Sequence, residues 1–267
     1  MIGQEEQDRY VEQGYLHVRG VFDADEVAEL RSAVEGVLER AVTAQRDANH
    51  TWGGSYLDED ERKQLVLKGF HDLQYHDGSF TRALTHPRMV AVLRRLIGPD
   101  VQLHHSKMLV KPPERGAPFP MHQDYPYFPH AQHTMLAASV HLDDADEENG
   151  CLCVVPASHN LGPLRSSDDG SHHLDPEEYP LEVGTLIPAR AGDVVFFNYL
   201  TIHGSGVNRS SRTRRNMLFQ YRDPADLPLG TEHVNWGQGL MVCGQNQAFH
   251  TTRPRFRIEE LATATSP

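Results

Sequence analysis

The spacing of apolar residues changes about a third of the way along the chain. Before that point Val27, Leu30, Val34, Val37 and Leu38 recur every three or four residues, which lays one apolar stripe along a helix. Asp23 stands just ahead of the stripe and Glu26 follows three residues later, a capping-box pattern that predicts where this helix starts. A short polar helix is predicted over 4–14, a strand over Tyr15-Leu16-His17-Val18, and another helix over 87–97 that Gly98-Pro99 stops. The first long helix should pack on the outside of a sheet.

From Val101 onward, short apolar runs alternate with Gly, Pro, Asn and Asp, and 101–110, 135–142, 151–155, 185–188, 193–198 and 215–221 read as strands. Many short strands around a pocket predict a jelly roll, two packed sheets that hide their edges by doubling back. The expected fold is therefore mainly β, a jelly-roll core with N-terminal helices outside it. No repeat, low-complexity tract or linker breaks the chain, so we expect one domain: a helical part over about 1–100, the jelly roll over about 101–225 and a C-terminal extension over about 226–267. Residues 162–180, rich in Ser, Asp and His, suit a mobile loop or lid.

Charge and composition remove several classes. A formal net charge of -12 disfavours a nucleic-acid surface, and the basic run 209–215 is too short to reverse that. No apolar run reaches the roughly 18 residues of a membrane span, and the N-terminus lacks the basic and apolar regions of a signal peptide, so a cytoplasmic location is expected. The three cysteines give no disulfide framework. Cys151 and Cys153 should share one side of a strand and pack as small apolar groups.

The chemistry concentrates in His122-Gln123-Asp124, His203 and Arg214. A histidine and a carboxylate two apart on a strand point to one face and can reach one metal ion, with His203 as third ligand. Two imidazoles and one carboxylate leave coordination positions open, as in non-haem Fe(II) oxygenases. The setting of the pair, Pro120-Met121 before it and Tyr125-Pro126-Tyr127-Phe128-Pro129 after it, suits the mouth of a pocket. His203 follows the apolar strand at 193–198 as a loop exit.

Met108-Leu109-Val110-Lys111-Pro112-Pro113, the His122-Gln123-Asp124 motif, Asn149-Gly150-Cys151-Leu152, Val155-Pro156-Ala157-Ser158-His159 and His203-Gly204-Ser205-Gly206-Val207-Asn208 follow one another, with Arg214 eleven residues after His203. In order and spacing the chain resembles the phytanoyl-CoA dioxygenase family of Fe(II)/2-oxoglutarate oxygenases over roughly residues 10–225. It departs at Ala157, where the family usually has glycine.

The resemblance implies a cupin-like double-stranded β-helix. It also implies Fe(II), 2-oxoglutarate and O2 as cofactor and cosubstrates, with iron on His122, Asp124 and His203. Arg214 would pair with the distal carboxylate of 2-oxoglutarate, its planar fork matching a carboxylate, and Ser205 would add a hydrogen bond. Arg215 should face the other side of the strand and Arg212 should lie in the loop. The implied reaction hydroxylates a C–H bond of a small molecule and releases succinate and CO2. An acyl-CoA substrate, desaturation or epimerisation, a non-catalytic metal-binding cupin and a zinc-dependent hydrolase stay open as alternatives. For the substrate side, His105 and Lys107 share a strand face with Leu109, and Tyr125 and Phe128 offer an apolar wall. No nucleic-acid or membrane partner is expected, and nothing in the sequence fixes the oligomeric state.

Overall fold

The computed structural model describes residues 2–44, 49–50, 57–168, 171–230 and 238–247, so most of the C-terminal extension lies outside the described residues. The N-terminal part supplies α1 (Gln4–Gln13), β1 (Tyr15–Val18), α2 (Ala24–Thr43), β2 (Asn49–His50), α3 (Glu59–Gln64), β3 (Leu67–His71), α4 (Gly78–Leu84) and α5 (Pro87–Leu96). The capping box at α2 forms as expected. The Asp23 carboxylate accepts from the backbone N–H groups of Asp25 and Glu26, while the Glu26 side chain accepts from the Asp23 N–H.

Nine further strands follow among the described residues: β4 (Val101–Lys111), β5 (Phe119–His122), β6 (Leu136–His141), β7 (Leu152–Val154), β8 (Thr185–Ile187), β9 (Val194–Asn198), β10 (His203–Ser205), β11 (Arg214–Arg222) and β12 (Met241–Cys243). The larger sheet runs β1-β9-β6-β11-β4-β3-β2, with β12 also paired to β4, and the smaller runs β5-β10-β7-β8. All these strand pairs are antiparallel, giving the two facing sheets of a jelly roll. Most predicted strands are displaced by only a residue or two at their ends. Two differences matter for chemistry: His203 begins a strand of its own, and Asp124 lies just past β5 in helical backbone conformation, at the start of a 3-10 turn over Tyr125–Tyr127.

The larger sheet separates two environments by its two-residue alternation. On the outer face Met108, Val140, Val194, Phe196, Met217 and Phe219 join one apolar cluster with Val27, Leu30, Val34 and Val37 of α2 and with Phe80, Leu84, Met89 and Leu93 of α4 and α5. The inner face is mixed and faces the smaller sheet. Arg215, outward on β11, clamps α2 down through a forked pair with Asp143 (2.9 and 3.0 Å) and a contact with Glu35 (2.5 Å). No helix among the described residues is long and apolar enough to cross a membrane.

Ala157, the departure noted in the sequence, carries a left-handed backbone with φ +62°. A Cβ is disfavoured there and glycine is not. We expect Ala157→Gly to raise the unfolding free energy by up to about 1 kcal/mol with no change at the metal site, checked by chemical denaturation; a loss of stability would show that the turn tolerates its alanine without strain.

Candidate metal centre

His122, at the end of β5, and His203, at the start of β10, are paired across the smaller sheet, their ring centroids 4.2 Å apart. The chain fixes both rings in the same way. His122 donates Nδ1–H to the carbonyl of Pro120, and His203 donates Nδ1–H to that of Thr201, each at 2.9 Å and each two residues back. A carbonyl only accepts, so both Nδ1 atoms carry the proton and both Nε2 atoms keep a lone pair. Those lone pairs meet one carboxylate oxygen, Asp124 Oδ1, at 3.7 Å from His122 Nε2 and 3.9 Å from His203 Nε2. One ligand atom from each residue lies within 4.8 Å of the others, the one such group among the described residues.

Burial decides the charges. Loss of solvent, and then the neighbouring His203, pushes the His122 pKa down to about 3, and burial also lowers that of His203. For Asp124 burial alone works upward, but His203, Lys107, His122 and a hydrogen bond from Gln220 outweigh it and hold the group below its ordinary value. Two neutral imidazoles and one carboxylate are the donor set a divalent ion needs. Gln220 Nε2 donates to Asp124 Oδ2 at 2.5 Å, leaving Oδ1 turned to the histidines. Gln220 was not anticipated, although parity along β11 from Arg214 through Asn216 and Leu218 points to it.

The triad opens into a narrow cavity of about 60 Å³ between the sheets, whose lining includes Lys107, Ser139, His141, Ser205, Arg214 and Asn216. Arg214 is buried and its Nη1 donates to the carbonyl of Gly150, while its Nε has no partner. Burial lowers its pKa to about 10, which leaves the guanidinium charged. Beside it lies Lys111, fully buried, whose Nζ donates to Ser205 Oγ at 2.8 Å and to the carbonyl of Gly206 at 2.5 Å. Burial and then Arg214 drive the lysine pKa down. Neither group has a carboxylate within ion-pair distance among the described residues, so the charged Arg214 suits this end of the cavity to an anion. Arg212 pairs with Asp146 on the surface and Arg215 points outward, leaving Arg214 alone of the three on the cavity side.

The sequence motifs around the site hold its backbone. Gly150 has φ +70°, and a Cβ there would meet the carbonyl oxygen of Gly206 at 2.2 Å. A Cβ on Gly204 would meet the carbonyl oxygen of Phe119 at 2.7 Å. Asn208 Nδ2 donates to the carbonyls of Lys111, Pro112 and Arg212, tying the 206–213 loop to β4. Cys151 and Cys153 are buried free thiols, each held in the protonated form chiefly by burial.

Of the expected substrate contacts, the structure brings only Lys107 to the cavity. His105 lies beyond it, its Nδ1 2.7 Å from that of His104 and its ring edge-on to Phe128. The β4–β11 register is regular through the Gln220–His105 rung and shifts only beyond it, where Tyr221 pairs with Leu103, so His105 keeps the parity of Lys107 but lies one rung further along the strand, against Phe128. Phe128 and Tyr125 pack with Met135, Tyr199 and Leu200 rather than forming a cavity wall, because the 3-10 turn after Asp124 swings them behind the metal ligands. The expected lid is tied down where it is described: Leu174 N–H donates to the Met121 carbonyl, and Gln123 bonds both Gly162 O and Leu164 N.

The model of the family described as phytanoyl-CoA dioxygenase (PhyH) matches residues 10–216. A probable α-ketoglutarate-dependent hypophosphite dioxygenase of Stutzerimonas stutzeri is 29% identical, covering 92% of this chain and 87% of that protein. Among solved structures, a non-haem α-ketoglutarate-dependent carbocyclase of nogalamycin biosynthesis superposes with a TM-score of 0.71 at 27% identity over 92% of this chain and 95% of that one. An epimerase of the same biosynthesis, in complex with Fe3+, α-ketoglutarate and nogalamycin RO, gives a TM-score of 0.67 at 28% identity over 91% and 96% of the two chains.

Gln220 orients the carboxylate rather than joining it to an ion, and such outer partners typically matter by about 10- to 100-fold in metal affinity. We expect Gln220→Leu to fold with a lower melting temperature, since one oxygen of the buried Asp124 loses its partner, and to bind Fe(II) more weakly by that factor, measured by anaerobic metal titration. An unchanged affinity would mean that the Asp124 rotamer is set by packing alone.

Proposed function

The chain belongs to the phytanoyl-CoA dioxygenase family, and from that membership we infer a non-haem Fe(II)/2-oxoglutarate-dependent dioxygenase that hydroxylates a C–H bond of a small molecule, releasing succinate and CO2. The observation that carries it is the pair of backbone-locked imidazoles presenting Nε2 lone pairs to one carboxylate oxygen, above a cavity that ends in an unpaired guanidinium. His122, Asp124 and His203 would hold iron, and the orphaned Nε–H of Arg214, with the Ser205 hydroxyl, would take the distal carboxylate of 2-oxoglutarate. Bound together, iron, 2-oxoglutarate and O2 supply the oxidising power for an unactivated C–H bond.

What the chain itself contributes is placement. Arg214 and Ser205 fix the far carboxylate, so the keto-acid end is directed toward the triad. Leu109, Leu152, Phe197 and Leu218 line the cavity with hydrocarbon and limit water there. A carboxylate at position 124 keeps one coordination position filled by protein, which favours hydroxylation over halide transfer.

Lys107 lines the cavity from β4, and none of the described residues accepts a hydrogen bond from its ammonium group. Burial lowers its pKa, and Asp124 close by works against that, which places its amino group beside the metal ligands. We assign it to an acidic group of the substrate. That the Stutzerimonas relative is named for hypophosphite, a small anion, agrees with a cation at this position.

Two measurements test these roles. Anaerobic titration of the Fe(II)-loaded protein with 2-oxoglutarate should give the visible charge-transfer band of the chelate, and Arg214→Ala should need roughly 30-fold more cosubstrate, about 2 kcal/mol for a charged hydrogen-bonded pair. No band in folded, iron-loaded wild type would remove the oxygenase reading. A screen of succinate release with hypophosphite and small carboxylic acids should find acidic compounds that stimulate wild type, with kcat/KM at least about tenfold lower in Lys107→Met and 2-oxoglutarate affinity unchanged. Equal stimulation of both proteins would take Lys107 out of the substrate site.

A further inference from the structure

His141 stands at the end of β6, is 1% exposed, and lines the same cavity as Arg214, Asn216 and Ser205. Neither of its ring nitrogens has a hydrogen-bond partner. The nearest carboxylate by sequence pairing, Asp193, is already occupied: it accepts from His17 Nε2 (2.9 Å) and from the N–H groups of Gly20 and Arg190, and only its backbone meets that of His141. Burying a donor and an acceptor unpaired costs about 1–3 kcal/mol each, so an unpartnered imidazole aimed into a cavity points to a ligand.

The register places that ligand. Gln220, bonded to Asp124, marks the metal end of the inward face of β11. Leu218 lies opposite Ser139 and Lys107, Asn216 opposite His141 and Leu109, and Arg214 opposite Lys111. Each rung advances two residues, about 6.6 Å. His141 therefore stands one rung, about 6.6 Å, from Arg214 on the same inward face, so a carboxylate held by that guanidinium comes within reach of its ring. Burial and the neighbouring guanidinium push the His141 pKa down to about 3, so the ring is neutral and adds a donor without adding charge.

We propose that His141 is a specificity-determining residue of the 2-oxo-acid site: its N–H joins Arg214 and Ser205 on the distal carboxylate, and its ring closes the cavity against a longer acid. This rests on the cosubstrate reading above. An acid with one more methylene pushes its carboxylate into the ring, whereas 2-oxoglutarate stops against it.

The test is anaerobic binding of 2-oxoglutarate and of 2-oxoadipate to the Fe(II)-loaded protein, read by the visible band and by calorimetry, in wild type, His141→Ala and His141→Gln. Wild type should prefer 2-oxoglutarate by at least about tenfold. His141→Ala should lose about tenfold on 2-oxoglutarate and gain on 2-oxoadipate, closing the gap, with Fe(II) affinity in the absence of oxo acid unchanged. His141→Gln, which restores an N–H, should recover 2-oxoglutarate binding. Variants that match wild type on both acids, or lose both equally, overturn the proposal while leaving the cosubstrate reading intact. Wild type that takes Fe(II) but neither acid overturns both. Should His141→Ala fail to fold, His141→Gln and His141→Asn carry the same comparison of the two acids.

Discussion

Burying Arg214 and Lys111 side by side, with no carboxylate among the described residues within ion-pair distance, is the constraint the rest of this fold answers to. Two adjacent basic groups away from water are tolerated only if their N–H groups are met elsewhere, and here carbonyls and a hydroxyl meet them: Gly150, Gly206 and Ser205. Those acceptors come from two different loops, which must therefore close on each other. Gly150 and Gly206 approach so tightly that a single Cβ between them has no room. The side chain of Asn149, bridging Asp144 and Asp146, and that of Asn208, bridging β4 and its own loop, hold the two loops in that position. The energy for this comes from the opposite side of the same sheet, where α2, α4 and α5 bury one large apolar cluster.

Much of this was legible in the chain, and the reasons differ from residue to residue. The start of α2 could be read because its capping box is local: Asp23 and Glu26 need only each other and the helix. Arg214 could be separated from Arg212 and Arg215 by strand parity, since neighbouring side chains on a strand face opposite sides. On the substrate side parity alone was not enough. It puts His105 on the same face as Lys107, because the register is regular through the Gln220–His105 rung, but it does not say how far along the strand the cavity reaches, and the cavity lining stops at Lys107. Asp124 was placed on the right face for the wrong reason, since a turn and not a strand brings it beside His122.

The roles of Lys111, Gln220 and His141 were not read from the chain, even though strand parity points to Gln220 and Lys111 lies in the 108–113 motif. A lysine, a glutamine and a histidine in a strand look like solvent-facing residues, and only the closure of the second sheet over them makes them interior. Their importance is tertiary. It follows from which rung each occupies and from what the facing sheet leaves unpaired.

The close approach of Gly204 and Gly150 to backbone carbonyls divides the cavity into two kinds of ground. At the anchor end, a side chain gained by Gly150 breaks the loop closure that satisfies Arg214 and Lys111, and one gained by Gly204 collides with β5, so sequence drift at either is costly to the fold. The Lys107–Leu109 edge of β4 carries no such backbone constraint, and its side chains project into open cavity. Descendants of this chain can thus change what they oxidise by altering one strand face while the cosubstrate end stays fixed, a separation that lets one scaffold diversify without rebuilding its engine.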